Sequence, residues 1–348
     1  MEEVLEKFQI QGDFQSVNII ENGLINSTYL VTTTSNKYIV QKINTFVFTN
    51  PVELMENIQI STSFLDQKKE KTLNIIQSKK GESLIKHKDE YWRAFDFIDG
   101  STTHRKASNI ELVRECGKTL AHFHKSFIDF PVEKLHTTIP NFHNTQIIFQ
   151  NFVKGLDNSD IKLKEECKVE INYILENGQK CNRIQNLILE GKLDKRVCHN
   201  DPKISNILFD KSGKSICMID LDTIMPGTIL NDFSDAIRTI CVSENEEESD
   251  LEKVNFKLDY FEEFTKEYLN INAENLNSTE IENLVFSVEI IFLEQGIRFL
   301  QDYLNENKYY KTSYRKQNLV RSRNQLHLAK QNEKKSEKMN NIIRNCFN

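Results

Sequence analysis

An aspartate, an asparagine and a second aspartate stand in one short stretch of this chain at intervals that suit a set of oxygen ligands. The stretch reads Cys198-His199-Asn200-Asp201-Pro202-Lys203-Ile204-Ser205-Asn206-Ile207-Leu208-Phe209-Asp210, with Ile216-Cys217-Met218-Ile219-Asp220-Leu221-Asp222 following it. A carboxylate at Asp201 could accept or steer the proton of a hydroxyl. The amide oxygen of Asn206 and the carboxylate of Asp220 are hard ligands of the kind magnesium takes. Together they suit phosphoryl transfer from Mg·ATP to an alcohol, where catalysis is positioning plus charge neutralisation. The interval of five lets Asp201 face an acceptor while Asn206 turns back towards a metal. His199 is expected to pack beneath the loop and bond its backbone.

Such a loop needs rigid elements on both sides. Residues 14–21, 27–34 and 37–43 alternate or are β-branched and read as strands, broken by turn signals at Asn22-Gly23 and Ser35-Asn36. From Pro51, apolar residues recur at helical spacing at Val52, Met55, Ile58 and Leu65. Further strands are expected near 73–76, 83–85 and 91–98. Beyond Gly100 the pattern turns helical, with Leu112, Cys116, Leu120 and Phe123 as a core-facing stripe. Helices are also expected over 160–190, 249–270, 277–304 and 316–345. The exception is the island at 197–219, a hairpin of Ile207–Phe209 and Ile216–Ile219 about the turn Lys211-Ser212-Gly213-Lys214. The pattern predicts an α+β chain: a β-rich lobe over 1–97 and a larger helical lobe over 98–348.

Composition narrows the function. With 348 residues, 28% charged and 39% apolar, the chain can bury a core and is not disordered. A net charge of −6 argues against a nucleic-acid partner. No apolar run approaches the ~18 residues of a membrane span. The amino terminus lacks the basic and apolar regions of a signal peptide. The seven cysteines are scattered, with no C-x-x-C pair, which suits reduced thiols in a cytoplasm.

The catalytic stretch resembles the aminoglycoside phosphotransferase and choline kinase superfamily, which shares the bilobal protein-kinase-like fold. More narrowly, Ile219-Asp220-Leu221-Asp222-Thr223-Ile224-Met225-Pro226-Gly227 and Asp232-Phe233-Ser234-Asp235-Ala236-Ile237-Arg238 are similar to the bacterial N-acetylhexosamine 1-kinases. Gly23–Val31, Tyr38–Asn44, Gly296–Leu304 and Asn318–Arg323 carry the likeness towards both ends. The resemblance implies Asp201 as base, Asn206 and Asp220 with Asp222 as metal ligands, and ATP and Mg2+ as cofactors. It puts Arg298 and Tyr309 in a sugar pocket, and draws Asn200 and Lys203 towards the substrate. The implied partner is a small-molecule sugar.

Departures are equally visible. No G-x-G-x-x-G loop is present, so Asn26, Ser27 and Thr28 are expected to offer phosphate donors. Leu24 stands where those sugar kinases carry a histidine. Lys42 is the nearest strand lysine for the phosphates, although Gln41 is the alternative if the register slips by one; Glu53 or Glu56 would be its acidic partner. Phe95–Ile98, with Phe97 at its centre, reads as the hinge that meets adenine. Ser212-Gly213-Lys214-Ser215 is better explained as a hairpin turn than as a Walker A ending. His122 and His124 suit packing and capping, and Asp232, Asp235 and Arg238 suit bracing of the catalytic loop. Choline, homoserine, an aminoglycoside or another sugar are the rival acceptors, and a nucleotide-binding regulator is the rival class. No Asp-Phe-Gly or Ala-Pro-Glu string marks a protein kinase.

Overall fold

In the computed structural model, which describes residues 1–20 and 25–347, a short helix α1 (Glu2–Leu5) precedes strands β1 (Phe14–Ile20), β2 (Ser27–Thr33) and β3 (Lys37–Lys42). Helix α2 (Pro51–Gln67) then leads to β4 (Ile75–Ile76), β5 (Ile85–His87) and β6 (Glu90–Asp96). These strands form one antiparallel sheet ordered β1-β2-β3-β6-β4, with β5 also on β6. The rest is mainly helical: α3 (Ile110–Ser126), α4 (Thr145–Asn158), α5 (Ile161–Glu166), α6 (Lys168–Glu176) and α7 (Arg183–Leu189). A short strand β7 (Arg196–Cys198), a hairpin of β8 (Ile207–Phe209) and β9 (Ser215–Met218), and β10 (Met225–Gly227) come next. Helices α8 (Ile229–Ile240), α9 (Leu258–Asn272), α10 (Ser278–Leu304) and α11 (Gln317–Asn345) complete the chain. This is a kinase-like α+β fold, a sheet lobe followed by a helical one.

Local chemistry sets several starts. Pro51 occupies the first turn of α2, and the Asn50 side chain accepts from the Glu53 amide at 3.3 Å. Asn109 caps α3 through the Leu112 amide at 2.8 Å. The long helix α10 opens on a reciprocal capping box between Asn277 and Glu280, both bonds being 2.9 Å. Gly117 lets α3 approach α9 closely, since a Cβ there would come 2.6 Å from the Phe264 carbonyl oxygen.

Strand alternation sorts the sheet into two faces. Val31, Tyr38, Val40, Trp92 and Ala94 pack with Val4, Leu5 and Phe8 on the outer face. Thr28, Gln41 and Arg93 lie directly opposite one another across β2, β3 and β6, on the face turned towards the helical lobe. A second apolar cluster runs without a break from Ile43, Leu54, Ile58 and Phe95 to Phe233, Phe261 and Val288. The two lobes thus share a core, which holds the cleft between them in a defined geometry.

Some elements differ from the sequence pattern. The stretch 160–190 is three pieces, with a break at Asn177-Gly178 where the Asn177 side chain bonds back to the Tyr173 carbonyl. Residues 249–257 are not helical: they fold back on Val242 and Ser243 through a Val242–Phe256 bridge. The turn at Asn22-Gly23, and Leu24, lie outside the described residues. Among the described residues no helix is long and apolar enough to cross a membrane.

Candidate active site

The loop after β7 is held from beneath by side chains rather than by regular structure. The carboxylate of Asp232, on α8, accepts from the backbone amides of both His199 and Asn200 at 2.7 Å. Its Oδ2 also accepts from His124 Nε2 at 2.9 Å, and Tyr268 donates to His124 Nδ1 at 2.8 Å. Burial works against the charge on Asp232, but His124 and the loop amides outweigh it and keep the carboxyl below its ordinary value. His199 is fully buried; its Nδ1 accepts from the Asp201 amide at 3.3 Å, so Nε2 carries the proton and donates to the Ile219 carbonyl at 2.9 Å. That imidazole ties the loop that carries Asp201 to the strand end that carries Asp220. Asp235 pairs with Arg238 at 2.7 Å and Arg238 with Glu246 at 3.1 Å, close enough to Asp201 for its charge to strengthen the arginine further.

Asp201 is half-buried at the mouth of the loop. Lys203 Nζ lies 2.5 Å from its Oδ2, and Asn206 Nδ2 donates to that oxygen at 3.1 Å and to the Asp201 carbonyl at 2.9 Å. Both side-chain contacts fall on Oδ2, and among the described residues no hydrogen bond is made to Oδ1. Burial would weaken the Lys203 ammonium, but Asp201 and Asp220 more than offset it and hold it protonated. Asn200, expected near the substrate, is instead a buried peg: its side chain donates to the carbonyls of Thr223 (2.9 Å), Cys198 (3.2 Å) and Met225 (3.4 Å).

The Ile219 amide donates to the Asn206 carbonyl at 2.8 Å, which brings Asp220 beside Asn206. Asp220 adopts a left-handed backbone (φ 60°, ψ 52°), an unfavourable conformation for a residue with a Cβ, and its carboxyl feels the charges of Asp222, Lys203 and Asp201. Burial first, then Asp222, push its carboxyl up to about 6, with Lys203 opposing. These residues fit a magnesium ion. With Asn206 Nδ2 committed to Asp201, its Oδ1 faces the other way, and among the described residues no side chain donates to the Asp220 carboxylate. Two protein oxygens are a normal complement for magnesium, which takes the rest from phosphate and water.

Asp222, expected with the metal ligands, is engaged elsewhere. It is 4% exposed; Asn26 Nδ2 donates to its Oδ2 at 2.6 Å, and Arg93 lies 2.5 Å from its Oδ1. Asn26, expected at the phosphates, is correspondingly spent, its Oδ1 accepting from the Asn44 amide at 2.9 Å. The strand register decides between Lys42 and Gln41. Lys42 lies on the outer face, paired with Glu90 at 3.0 Å, while Gln41 donates to Thr28 at 3.0 Å and accepts from Arg93 Nε at 2.9 Å. Glu56 pairs with His136 at 2.8 Å and offers Lys42 no partner. Phe97 follows β6, its amide donating to the Lys37 carbonyl at 3.1 Å.

On the other side of the loop, a buried charge cluster joins α10 to Asn200. His143 donates from Nδ1 to Glu294 at 2.9 Å and from Nε2 to the Asn200 carbonyl at 3.0 Å. Both ring nitrogens face acceptors, so the ring is an imidazolium. Arg298 donates to the same Glu294 oxygen at 3.2 Å and lies 5.0 Å over the Phe142 ring, while Thr145 donates to the second oxygen at 2.6 Å. Tyr309 is 40% exposed; Asp302 takes its amide at 2.8 Å, and its ring meets Tyr310 at 4.8 Å. Local spacing carried no signal for His143 or Glu294. A lone glutamate on the apolar face of α10, four residues before Arg298, was the available clue.

Burial alone would raise the Glu294 carboxyl, yet His143 and then Arg298 bring it down to about 2 from an ordinary 4.5, and Glu294 in turn raises His143 above its usual 6.5. The carboxylate's contribution to stability is complete above pH 4.5 and lost as pH falls towards 2. The imidazolium's contribution is complete below 6.5 and lost as pH rises past its folded value. Glu294→Gln should flatten the acid limb of the stability curve by about 3 kcal/mol, read by urea unfolding at stepped pH. An unchanged limb contradicts the assignment.

A family model described as the phosphotransferase enzyme family matches residues 16–256. An aminoglycoside phosphotransferase from Alicyclobacillus acidocaldarius superposes with a TM-score of 0.66 at 13% identity, over 99% of this chain and 96% of that one. An amicoumacin kinase in complex with AMP-PNP, Ca2+ and Ami gives 0.64 at 13% identity, over 94% and 91%. A choline kinase from Cryptosporidium parvum gives 0.57 at 16%, over 98% and 95%. At such identities the structural likeness speaks for the fold, and the family match extends over most of the sheet lobe and the whole catalytic stretch. The chain belongs to the phosphotransferase enzyme family.

Proposed function

We propose that this chain is an ATP- and magnesium-dependent kinase that phosphorylates the anomeric hydroxyl of an N-acetylhexosamine. The observation that carries the chemistry is the half-buried Asp201, one carboxylate oxygen held by Lys203 and Asn206 and the other left for an acceptor, with Asp220 alongside. In this reading the acceptor hydroxyl donates to Asp201 Oδ1 and its oxygen attacks the γ-phosphorus in line. The new O–P bond forms as the bond to the β–γ bridging oxygen breaks; ADP leaves and Asp201 holds the proton. A hemiacetal hydroxyl is more acidic than an ordinary alcohol, so an ordinary carboxylate suffices. Magnesium, when bound, neutralises charge on the phosphates, and Asn206 Oδ1 and the Asp220 carboxylate are the residues that would hold it. The base of ATP would rest at Phe97 and its phosphates near Thr28 and Gln41.

Arg298 supports a polar acceptor. Glu294 fixes one edge of its guanidinium, and its side chain keeps 16% exposure beside Tyr309 and Tyr310. Arg298→Ala should raise KM for the acceptor by about 10- to 100-fold, as loss of a charged hydrogen bond implies, with KM for ATP little changed. The opposite pattern removes Arg298 from the acceptor side. The acceptor itself is tested by ADP release from Mg·ATP with N-acetylglucosamine, N-acetylgalactosamine, choline, homoserine and an aminoglycoside side by side. The reading expects the highest kcat/KM with an N-acetylhexosamine and phosphate at its anomeric carbon. A preference for any other compound overturns the sugar and keeps the phosphotransferase.

A further inference from the structure

Arg93 is 1% exposed, yet it carries a full charge into the space between the lobes. Its Nε donates to Gln41 and one terminal nitrogen lies 2.5 Å from Asp222, in a contact that is short but off the hydrogen-bond axis. Among the described residues the other terminal nitrogen has the Met55 sulfur, at 3.8 Å, as its hydrogen-bond partner. Burying two such ions costs several kcal/mol each before their attraction repays it, so the pair is a poor way to gain stability alone. What it does geometrically is cross from the sheet to the turn that presents Asp220. That turn holds an unfavourable left-handed residue and needs restraint from outside. The sheet lobe supplies it through Arg93 and Asn26 on Asp222 and through Asn57 of α2 on the Ile224 carbonyl at 2.9 Å.

We propose that Arg93 is a positioning residue for the magnesium-bound nucleotide: through Asp222 it locks the Asp220 turn to the nucleotide-binding sheet. The inference rests on the phosphotransferase reading of the site. It is tested by calorimetry of AMP-PNP binding to the full chain, with and without Mg2+, for wild type, Arg93→Gln, Arg93→Lys and Asp222→Asn. Folded fractions are set by circular dichroism.

Arg93→Gln should weaken binding with Mg2+ about tenfold or more and leave binding without it nearly unchanged. Arg93→Lys should recover part of the loss, and Asp222→Asn should reproduce it. A general structural role would weaken both conditions alike, and that result, or equal affinities in all variants, overturns the proposal. If Arg93→Gln does not fold, Asp222→Asn decides on the same criterion. A wild type without Mg2+-enhanced nucleotide binding sinks the phosphotransferase reading itself, which is a separate outcome.

Discussion

Asp201→Asn is expected to lower kcat by about 10³-fold or more while the affinity for Mg·ATP stays within a factor of about three. The argument is one of division of labour. Asp201 receives Lys203 and Asn206 on one oxygen; in the proposed mechanism it offers the other to the acceptor, and so meets the reacting hydroxyl and not the nucleotide. An amide at this position keeps the shape and can still accept from Lys203, but it cannot take a proton at neutral pH. The loss therefore falls on the chemical step. Single-turnover kinetics and calorimetry on the same preparation separate the two quantities. Wild-type turnover in this variant would show that the loop has another role; loss of nucleotide binding would move Asp201 to the metal.

Asp220→Ala carries the second large effect, and its signature is different. Asp220 stands beside Asn206, in a turn held by His199, Thr223 and the Arg93–Asp222 pair. Removing its carboxylate takes away one of two protein oxygens offered to magnesium. Activity should fall by about 10³-fold or more, and the enhancement of nucleotide binding by Mg2+ should vanish with it. The fold should survive, because removing a carboxylate whose surroundings push it up to about 6 removes a cost rather than a support. Magnesium titrations followed by nucleotide affinity read this directly. A variant that still needs and binds magnesium as wild type does would exclude Asp220 from the ligand set.

The contrast between these two residues and their surroundings shows what a chain reveals before it folds. That Asp201, Asn206 and Asp220 lie together was legible because short intervals and one hairpin join them. The sheet lobe and the long helices α10 and α11 were legible for the same reason, as local periodicity. Arg93 was not: a charged residue between Trp92 and Ala94 reads as a surface position, and its partner Asp222 is remote in sequence. His143 and Glu294, joined across 151 positions, were hidden in the same way. Asn200, expected at the substrate, and Asn26, expected at the phosphates, instead spend their side chains inside the protein, Asn200 on the carbonyls of Cys198, Thr223 and Met225 and Asn26 on Asp222 and the Asn44 amide, partners that local spacing does not reveal. The choice between Lys42 and Gln41 depended on a one-residue register, which only the pairing of β3 with β6 could decide.

Coordinates of the protein with Mg2+, AMP-PNP and N-acetylglucosamine would put the arrangement to its most direct test. The account predicts a cation within about 2.0–2.2 Å of both Asn206 Oδ1 and the Asp220 carboxylate, with the sugar's anomeric hydroxyl within hydrogen-bond reach of Asp201 Oδ1. Asp222 should remain on Arg93. A cation bound away from Asn206 and Asp220, or a sugar whose hydroxyl group lies out of reach of Asp201, would contradict it.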